Sequence, residues 1–243
     1  YEICACLVGS EMCIRDRDNM SFLITDLHNN IVKEELLTDF ELQDRPQCLE
    51  KICSNIAHFI DTCGVERAKI LGVGVSVSGR VNPTTGRSYR YFTSSEQSLR
   101  DMIEQRIGIR VLLENDSRAR CYAEYTNSKS KDEMDVLYLH LGRGLAIGIV
   151  MNGKLYYGKS GFAGEFGHVI VERNGRECGC GRRGCLETYV SATGIKRTAF
   201  ELMAKMNAPS KLRSIAFDDF DASMISAAAE QGDPIALEAF RYT

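Results

Sequence analysis

The sequence has no excess of basic residues. Its 30 lysines and arginines are outnumbered by 33 aspartates and glutamates, which leaves a formal net charge of −3. A basic surface for nucleic acid or for an anionic membrane is therefore not indicated in this stretch of chain. No apolar run approaches the roughly 20 residues that span a bilayer. No signal peptide is visible either, so we expect a cytoplasmic location.

Repeats and low-complexity stretches are also missing. Hydrophobic residues make up 44% of the 243 and charged residues 26%, which is typical of a globular domain and not of a disordered or fibrous chain. This length allows one large domain, or two small ones, with a buried core.

Strand and helix patterns alternate along the chain, which predicts the α/β class. A hairpin pattern spans 21–37 around His28-Asn29-Asn30, and Asn152-Gly153 indicates a tight turn. The other predicted strands are 70–77, 111–113, 136–141 and 146–151. The predicted helices are 48–63, 99–107, 118–125 and most of the chain from 186 onward.

The first seventeen residues, YEICACLVGSEMCIRDR, do not resemble the chain that follows them. Leu7 to Asp16 and the start of Arg17 match, codon for codon, a common transposase sequencing adapter translated in frame. Tyr1, Glu2 and the start of Ile3 match its upstream part. Residues 1–17 are therefore interpreted as a translated adapter; the alternative is an unusual native N-terminus. A helical pattern that opens at Pro234 stops at Thr243, so we expect truncation at that end as well.

Ten cysteines are many for a cytosolic chain, and three of them fall in the adapter-like segment. Four others are scattered through apolar patterns and are interpreted as small buried hydrophobic residues. These four are Cys48, Cys53, Cys63 and Cys121. The last three, Cys178, Cys180 and Cys185, lie within eight residues, which in a cytosolic protein indicates a metal and not disulfides.

A zinc site is the interpretation of this cysteine cluster. Three glycines between residues 177 and 187 let a short loop fold so that its sulfur atoms converge. His168, ten residues before Cys178, is the natural fourth ligand. Three cysteines and one histidine form a closed tetrahedral set, so the zinc is expected to be structural and not catalytic. The alternative is a loop of free thiols with a surface histidine.

The run from Gly164-Glu-Phe-Gly-His168 to Cys178-x-Cys-Gly-x-x-Gly-Cys185-x-Glu187 resembles the signature of the ROK family of repressors and sugar kinases. Glu114-Asn115-Asp116 and the run 152–165 are similar to the family too. The resemblance covers about 21–243. It implies an actin-like, ribonuclease-H-like fold of two lobes with sugar in the cleft. We expect an incomplete N-terminal lobe at 18–115 and a C-terminal lobe with the zinc loop at 116–243.

The resemblance also implies roles for individual residues. Spacing alone favours Asp116 as a helix cap, but the matching aspartate is the family's catalytic base, which takes a proton from the attacking sugar hydroxyl. The positions implied to bind sugar are Asn115, Asp116, Glu165, His168 and Glu187. His168 would then place one ring nitrogen on zinc and the other toward sugar.

The segment that follows the strand 136–141 is a degenerate phosphate loop. ROK kinases have a run similar to L-G-T-G-x-G-G-G, whereas residues 141–148 here read LGRGLAIG. Gly142 and Gly144 remain, Arg143 replaces the threonine, and Ala146 and Ile147 replace glycines. Side chains at those positions should hinder the close approach of backbone N–H groups to phosphate.

Three functions follow as hypotheses. The first is a sugar-responsive transcriptional regulator that binds a sugar or sugar phosphate, with its DNA-binding region missing from this chain. The second is an ATP-dependent kinase of a hexose or amino sugar, which alone would require Mg-ATP. The third is a zinc-stabilised scaffold without a ligand. The changes in the phosphate loop favour the regulator, and we expect a homo-oligomer in either functional case.

Sequencing the genomic locus tests the adapter interpretation. The native reading frame upstream of Asp18 should encode residues other than YEICACLVGSEMCIRDR. A genomic frame that encodes those same residues would refute the interpretation.

Overall fold

A computed structural model describes the backbone of residues 3–9 and all atoms of residues 19–38, 40–127, 133–216 and 219–243. The chain divides into two compact units. The first comprises residues 1–136 with 149–163, and the second comprises residues 137–148 with 164–243.

A five-stranded sheet forms the first unit, with the strand order β3-β2-β1-β4-β7. β2 is antiparallel to β1 and to β3, whereas β4 is parallel to β1 and to β7. β5 and β6 form a separate two-stranded antiparallel sheet. The strands are β1 (Ile3–Gly9), β2 (Met20–Asp26), β3 (Ile31–Leu37), β4 (Ile70–Val77), β5 (Val81–Asn82), β6 (Arg87–Ser88) and β7 (Val111–Asn115).

The predicted hairpin at 21–37 is confirmed as β2 and β3. Its turn is stabilised locally, because the Asp26 carboxylate accepts hydrogen bonds from the backbone N–H groups of His28 and Asn30. Asn29 adopts the left-handed conformation that such a turn requires, with φ of 63°.

The strand β1 belongs to the adapter-like segment. Its backbone pairs with β2 on one side and with β4 on the other. This pairing does not test where the codons came from, so the adapter origin stays a prediction. Residues 1, 2 and 10–18, Asp18 among them, lie outside the described residues.

The α-helices in the described part of the first unit are α1 (Pro46–Asp61), α2 (Leu99–Ile107) and α3 (Asp116–Asn127). α1 has proline in its first turn, where the missing N–H costs nothing. α2 begins at the Ser98 cap, whose side chain accepts from the Asp101 N–H, and ends at Gly108, whose φ is 68°. Apolar residues of α1, α2 and the sheet form one continuous buried core. The predicted helical stripe of α1 is buried, at Leu49, Ile52, Ile56, Phe59 and Ile60.

The strands β8 (Val136–Leu141), β9 (Leu145–Met151) and β10 (Lys154–Leu155) form a second sheet in the order β10-β9-β8. Asn152 and Gly153 make the predicted tight turn, with φ of 51° and 71°. The chain passes between the two units within β8 and within β9.

The rest of the second unit is mainly helical, as predicted. Its helices are α4 (Glu187–Val190), α5 (Ala192–Lys205), α6 (Ala222–Glu230) and α7 (Pro234–Tyr242). Ser191, Asp221 and Asp233 cap the last three helices by accepting backbone N–H bonds. Apolar residues of α5, α6 and α7 form a separate core.

The predicted boundary between residues 115 and 116 differs from the observed division. β7 runs directly into α3, and both lie in the first unit. Arg118 of α3 donates to the carbonyl groups of Val81 and Gly161, which fixes that helix within the first unit. Among the described residues, no helix combines the length and the apolarity that crossing a membrane requires.

Candidate functional site

The predicted metal ligands converge in the second unit. One ligand atom from each of His168, Cys178, Cys180 and Cys185 lies within 4.8 Å of the other three. The Cys178 Sγ is 3.5 Å from the His168 Nδ1, and the Sγ atoms of Cys180 and Cys185 are 3.7 Å apart. All seven cysteines whose side chains are described are free, so the cluster holds no disulfide. These four residues could hold a metal ion.

Glycines give the cysteine loop its shape. Gly181 and Gly184 both adopt left-handed backbone conformations, with φ of 85° and 75°. The Gly184 backbone also runs so close to Glu172 that a Cβ there would lie 1.7 Å from the Glu172 carbonyl oxygen. Because residue 184 has no side chain, its backbone can lie against Glu172, and this contact brings the two ends of the loop together.

Burial changes the acidity of the thiols. Burial raises the pKa of Cys185 to about 12, and its hydrogen bonds to Cys180 and Cys178 act in the same direction. Burial likewise raises the pKa of Cys178. A thiol with a raised pKa stays protonated at neutral pH, so a bound cation would have to displace its proton.

The predicted sugar-binding residues of the second unit lie beside the metal ligands. His168 directs its Nδ1 toward Cys178, and its Nε2 lies 3.7 Å from the Glu165 carboxylate. The Glu187 side chain reaches back to β9, where its Oε2 accepts from the Leu145 N–H at 2.9 Å. The ring of His168 thus has one nitrogen at the cysteine cluster and the other beside a carboxylate.

Asn115 and Asp116 lie in the first unit, where β7 ends and α3 begins. The Asn115 amide donates to the Gly79 carbonyl and to the Asp116 Oδ1, each at 2.9 Å. The Ser117 N–H donates to the same carboxylate oxygen at 2.8 Å. The predicted cap at Asp116 is wrong by one residue. The Asn115 Oδ1 accepts from the Arg118 N–H at 3.0 Å and so caps α3, whereas Asp116 is the first residue of the helix and binds the next N–H.

The predicted phosphate loop is closed by bonds within the second unit. The Gly142 N–H donates to the Gly144 carbonyl, and the Ile147 N–H donates to the Gly164 carbonyl at 3.2 Å. With Leu145 bound to Glu187, three backbone donors of the run 141–148 have partners inside the chain. A Cβ on Gly144 would lie 2.5 Å from the Glu187 Oε2, so the carboxylate fills the space over the loop.

Sequence reasoning missed Arg176, which anchors the cysteine loop. Its guanidinium group is buried and donates to the Thr188 carbonyl, the Thr198 hydroxyl and the Glu201 carboxylate. The guanidinium also stacks on the Tyr189 ring, 4.6 Å from its centroid. These partners lie 12 to 25 residues further along the chain, so no local pattern marks the arginine.

Comparison with known proteins identifies the family. A family model described as the ROK family matches residues 17–243. The chain belongs to the ROK family.

Relatives of this ROK protein include both enzymes and regulators. It is 33% identical over 207 residues to a glucokinase of Streptomyces coelicolor, a match that covers 81% of this chain and 63% of the relative. It is 30% identical over 230 residues to the DNA-binding transcriptional dual regulator NagC of Escherichia coli, covering 93% and 55%. The chain therefore spans less than two thirds of either relative.

A solved structure supports the fold. The crystal structure of a ROK family transcriptional regulator, a homolog of the E. coli MLC protein, matches with a TM-score of 0.78 at 25% identity. That match covers 97% of this chain and 58% of the other. The α/β fold predicted from sequence is therefore that of ROK proteins.

A matched pair of glycine variants tests the loop geometry. Gly184→Ala should lose bound metal, because the new methyl group collides with the Glu172 carbonyl. Gly181→Ala has a similar φ but nothing within 4 Å of its Cβ, so it should keep the metal at a cost of about 1–2 kcal/mol. Elemental analysis of both purified variants and the parent measures this. Equal metal content in the two variants would contradict the assigned geometry.

Proposed function

We propose that this chain is the sugar-binding core of a ROK-family transcriptional regulator, whose DNA-binding region lies outside it. The main support for the proposal is the loop at 141–148, whose backbone N–H groups are used in hydrogen bonds within the chain. A phosphate loop works by turning backbone N–H groups toward phosphate oxygens. Here the N–H groups of Gly142, Leu145 and Ile147 already have partners within the chain.

Side-chain volume supports the same conclusion. Ala146 and Ile147 add side chains where ROK kinases have glycine. Arg143 supplies one positive charge, but a single arginine does not restore the backbone donors. The proposal therefore includes sugar binding and excludes efficient phosphoryl transfer.

Zinc is the metal we assign to the cluster. Ligands about 2.3 Å from a tetrahedral zinc lie about 3.8 Å apart. The Cys180–Cys185 and Cys178–His168 separations of 3.7 and 3.5 Å are close to that value. Because protein atoms supply all four positions, the zinc would be structural and would stabilise the cysteine loop when bound.

The residues proposed to bind the sugar are the five that the family resemblance implies. Asn115, Asp116, Glu165, His168 and Glu187 carry polar groups suited to sugar hydroxyls. Carboxylates accept from hydroxyl groups, and a site built in this way discriminates strongly between sugars that differ in one hydroxyl. The names of the relatives point to D-glucose and N-acetylglucosamine as the first sugars to test.

A sugar kinase is the second candidate, because Asp116 is present at the position of the family's catalytic base. The 33% identity to a glucokinase favours it as well. In that case Asp116 would take the proton of a sugar hydroxyl, and Gly142, Arg143 and Gly144 would face the phosphates of Mg-ATP.

Sugar binding should raise the melting temperature of the chain, because a ligand that binds only the folded state stabilises it. We expect a shift with D-glucose, N-acetylglucosamine or one of their 6-phosphates. Glu165→Ala and Glu187→Ala should each remove the shift, whereas Glu177→Ala, on the exposed outer part of the cysteine loop, should keep it. Differential scanning fluorimetry measures all four proteins. Normal sugar binding by both site variants would contradict the assignment.

The regulator and the kinase differ in turnover. A coupled assay with Mg-ATP and the same sugars should give little or no phosphorylation, because the loop at 141–148 is closed. Asp116→Asn is the matched variant and should leave the background rate unchanged. Robust turnover by the parent that disappears in Asp116→Asn would establish the kinase instead.

A further inference from the structure

A buried arginine organises the strand end that carries Asp116. Arg118 is 3% exposed, and its guanidinium donates three hydrogen bonds. They reach the Glu114 Oε1 at 2.7 Å, the Gly161 carbonyl at 2.8 Å and the Val81 carbonyl at 2.7 Å. One side chain thereby joins β7, β5 and the segment that follows β10, all within the first unit.

We propose that Arg118 is a positioning residue that sets the orientation of the Asp116 carboxylate toward the sugar. This inference rests on the proposed sugar-binding function. Neither the sequence motif nor the family resemblance assigned a role to Arg118.

Two chains of hydrogen bonds lead from Arg118 to Asp116. The Glu114 Oε1 that accepts from the guanidinium also accepts from the Asn115 N–H at 2.7 Å. The Arg118 N–H donates to the Asn115 Oδ1 at 3.0 Å, and the Asn115 amide then donates to the Asp116 Oδ1. Arg118 therefore fixes both the backbone and the side chain of the residue that holds Asp116.

Tyr157 completes this network on the far side of Glu114. Its hydroxyl donates to the Glu114 Oε2 at 3.0 Å, and its ring lies 5.3 Å from the Arg118 guanidinium. Burial raises the pKa of Tyr157 to about 12, so the hydroxyl remains a donor. Both carboxylate oxygens of Glu114 are thus held, and the buried charge of Arg118 has the partners that such a charge requires.

The geometry of arginine matters here. Its planar group presents several donors at fixed angles, whereas lysine offers one compact ammonium group on a flexible stem. Lysine at position 118 can keep a charge beside Glu114 but cannot reach the Val81 and Gly161 carbonyls at the same time. Arg118→Lys should therefore loosen Asp116 without removing the charge pair.

Monodeoxy sugars separate positioning from general stability. Calorimetry would give the affinities of the chain for D-glucose or N-acetyl-D-glucosamine, whichever gives the thermal shift, and for the monodeoxy analogues of that sugar. The hydroxyl bound by Asp116 is identified by comparing the two proteins. Its removal from the sugar should lower the affinity of the parent but not the affinity of Asp116→Asn. Arg118→Lys should reduce the discrimination at that same hydroxyl about tenfold or more, the size of a hydrogen bond to a charged group. Discrimination at the other hydroxyls should persist.

Two further variants complete the design. Tyr157→Phe removes one hydrogen bond to Glu114 and should reduce the discrimination at the same hydroxyl by a smaller factor. If Arg118→Lys does not fold, Tyr157→Phe alone tests the proposal. Arg120→Lys, a conservative change on the same helix, should behave like the parent. A uniform loss of affinity across all analogues, or no change, would overturn the positioning role. If the parent binds neither sugar, the proposed function is refuted, and this inference is refuted with it.

Discussion

The hydrogen bond from the Leu145 N–H to the Glu187 carboxylate ties the cysteine loop to the loop at 141–148. Glu187 opens α4 two residues after the Cys185 ligand, and Leu145 opens β9. The contact therefore joins the metal cluster, the first helical turn after it and the loop that follows β8. It also requires glycine at position 144, because the carboxylate lies where a side chain would be.

Buried arginines have a comparable role in each unit. Arg176 joins the cysteine loop to α5, and Arg118 joins the end of β7 to two neighbouring segments. Each guanidinium makes several hydrogen bonds and stacks on a tyrosine ring. Such groups are costly to bury unless all of their partners are in place, so they favour one arrangement of the surrounding loops. Asn115, which is proposed to bind sugar, accepts directly from the Arg118 N–H.

Local features of this chain could be predicted from sequence because their causes are local. The hairpin around Asn29, the stripe of α1 and the cluster of His168 with three cysteines all depend on residues within about one element of each other. The division into units, the partner of Leu145 and the roles of Arg118 and Arg176 could not be predicted. They depend on contacts between residues 12 to 43 positions apart, which no periodicity records. The spacing at Asp116 was informative about the helix start, while its chemical role came only from family resemblance.

The central claim is that the loop at 141–148 is closed to nucleotide while the sugar site is intact. Isothermal titration calorimetry of Mg-AMPPNP into the chain, with and without saturating D-glucose or N-acetylglucosamine, tests it most directly. We expect saturable heat for sugar and none for the nucleotide in either condition. Saturable nucleotide binding in the micromolar range, with sugar present, would contradict it.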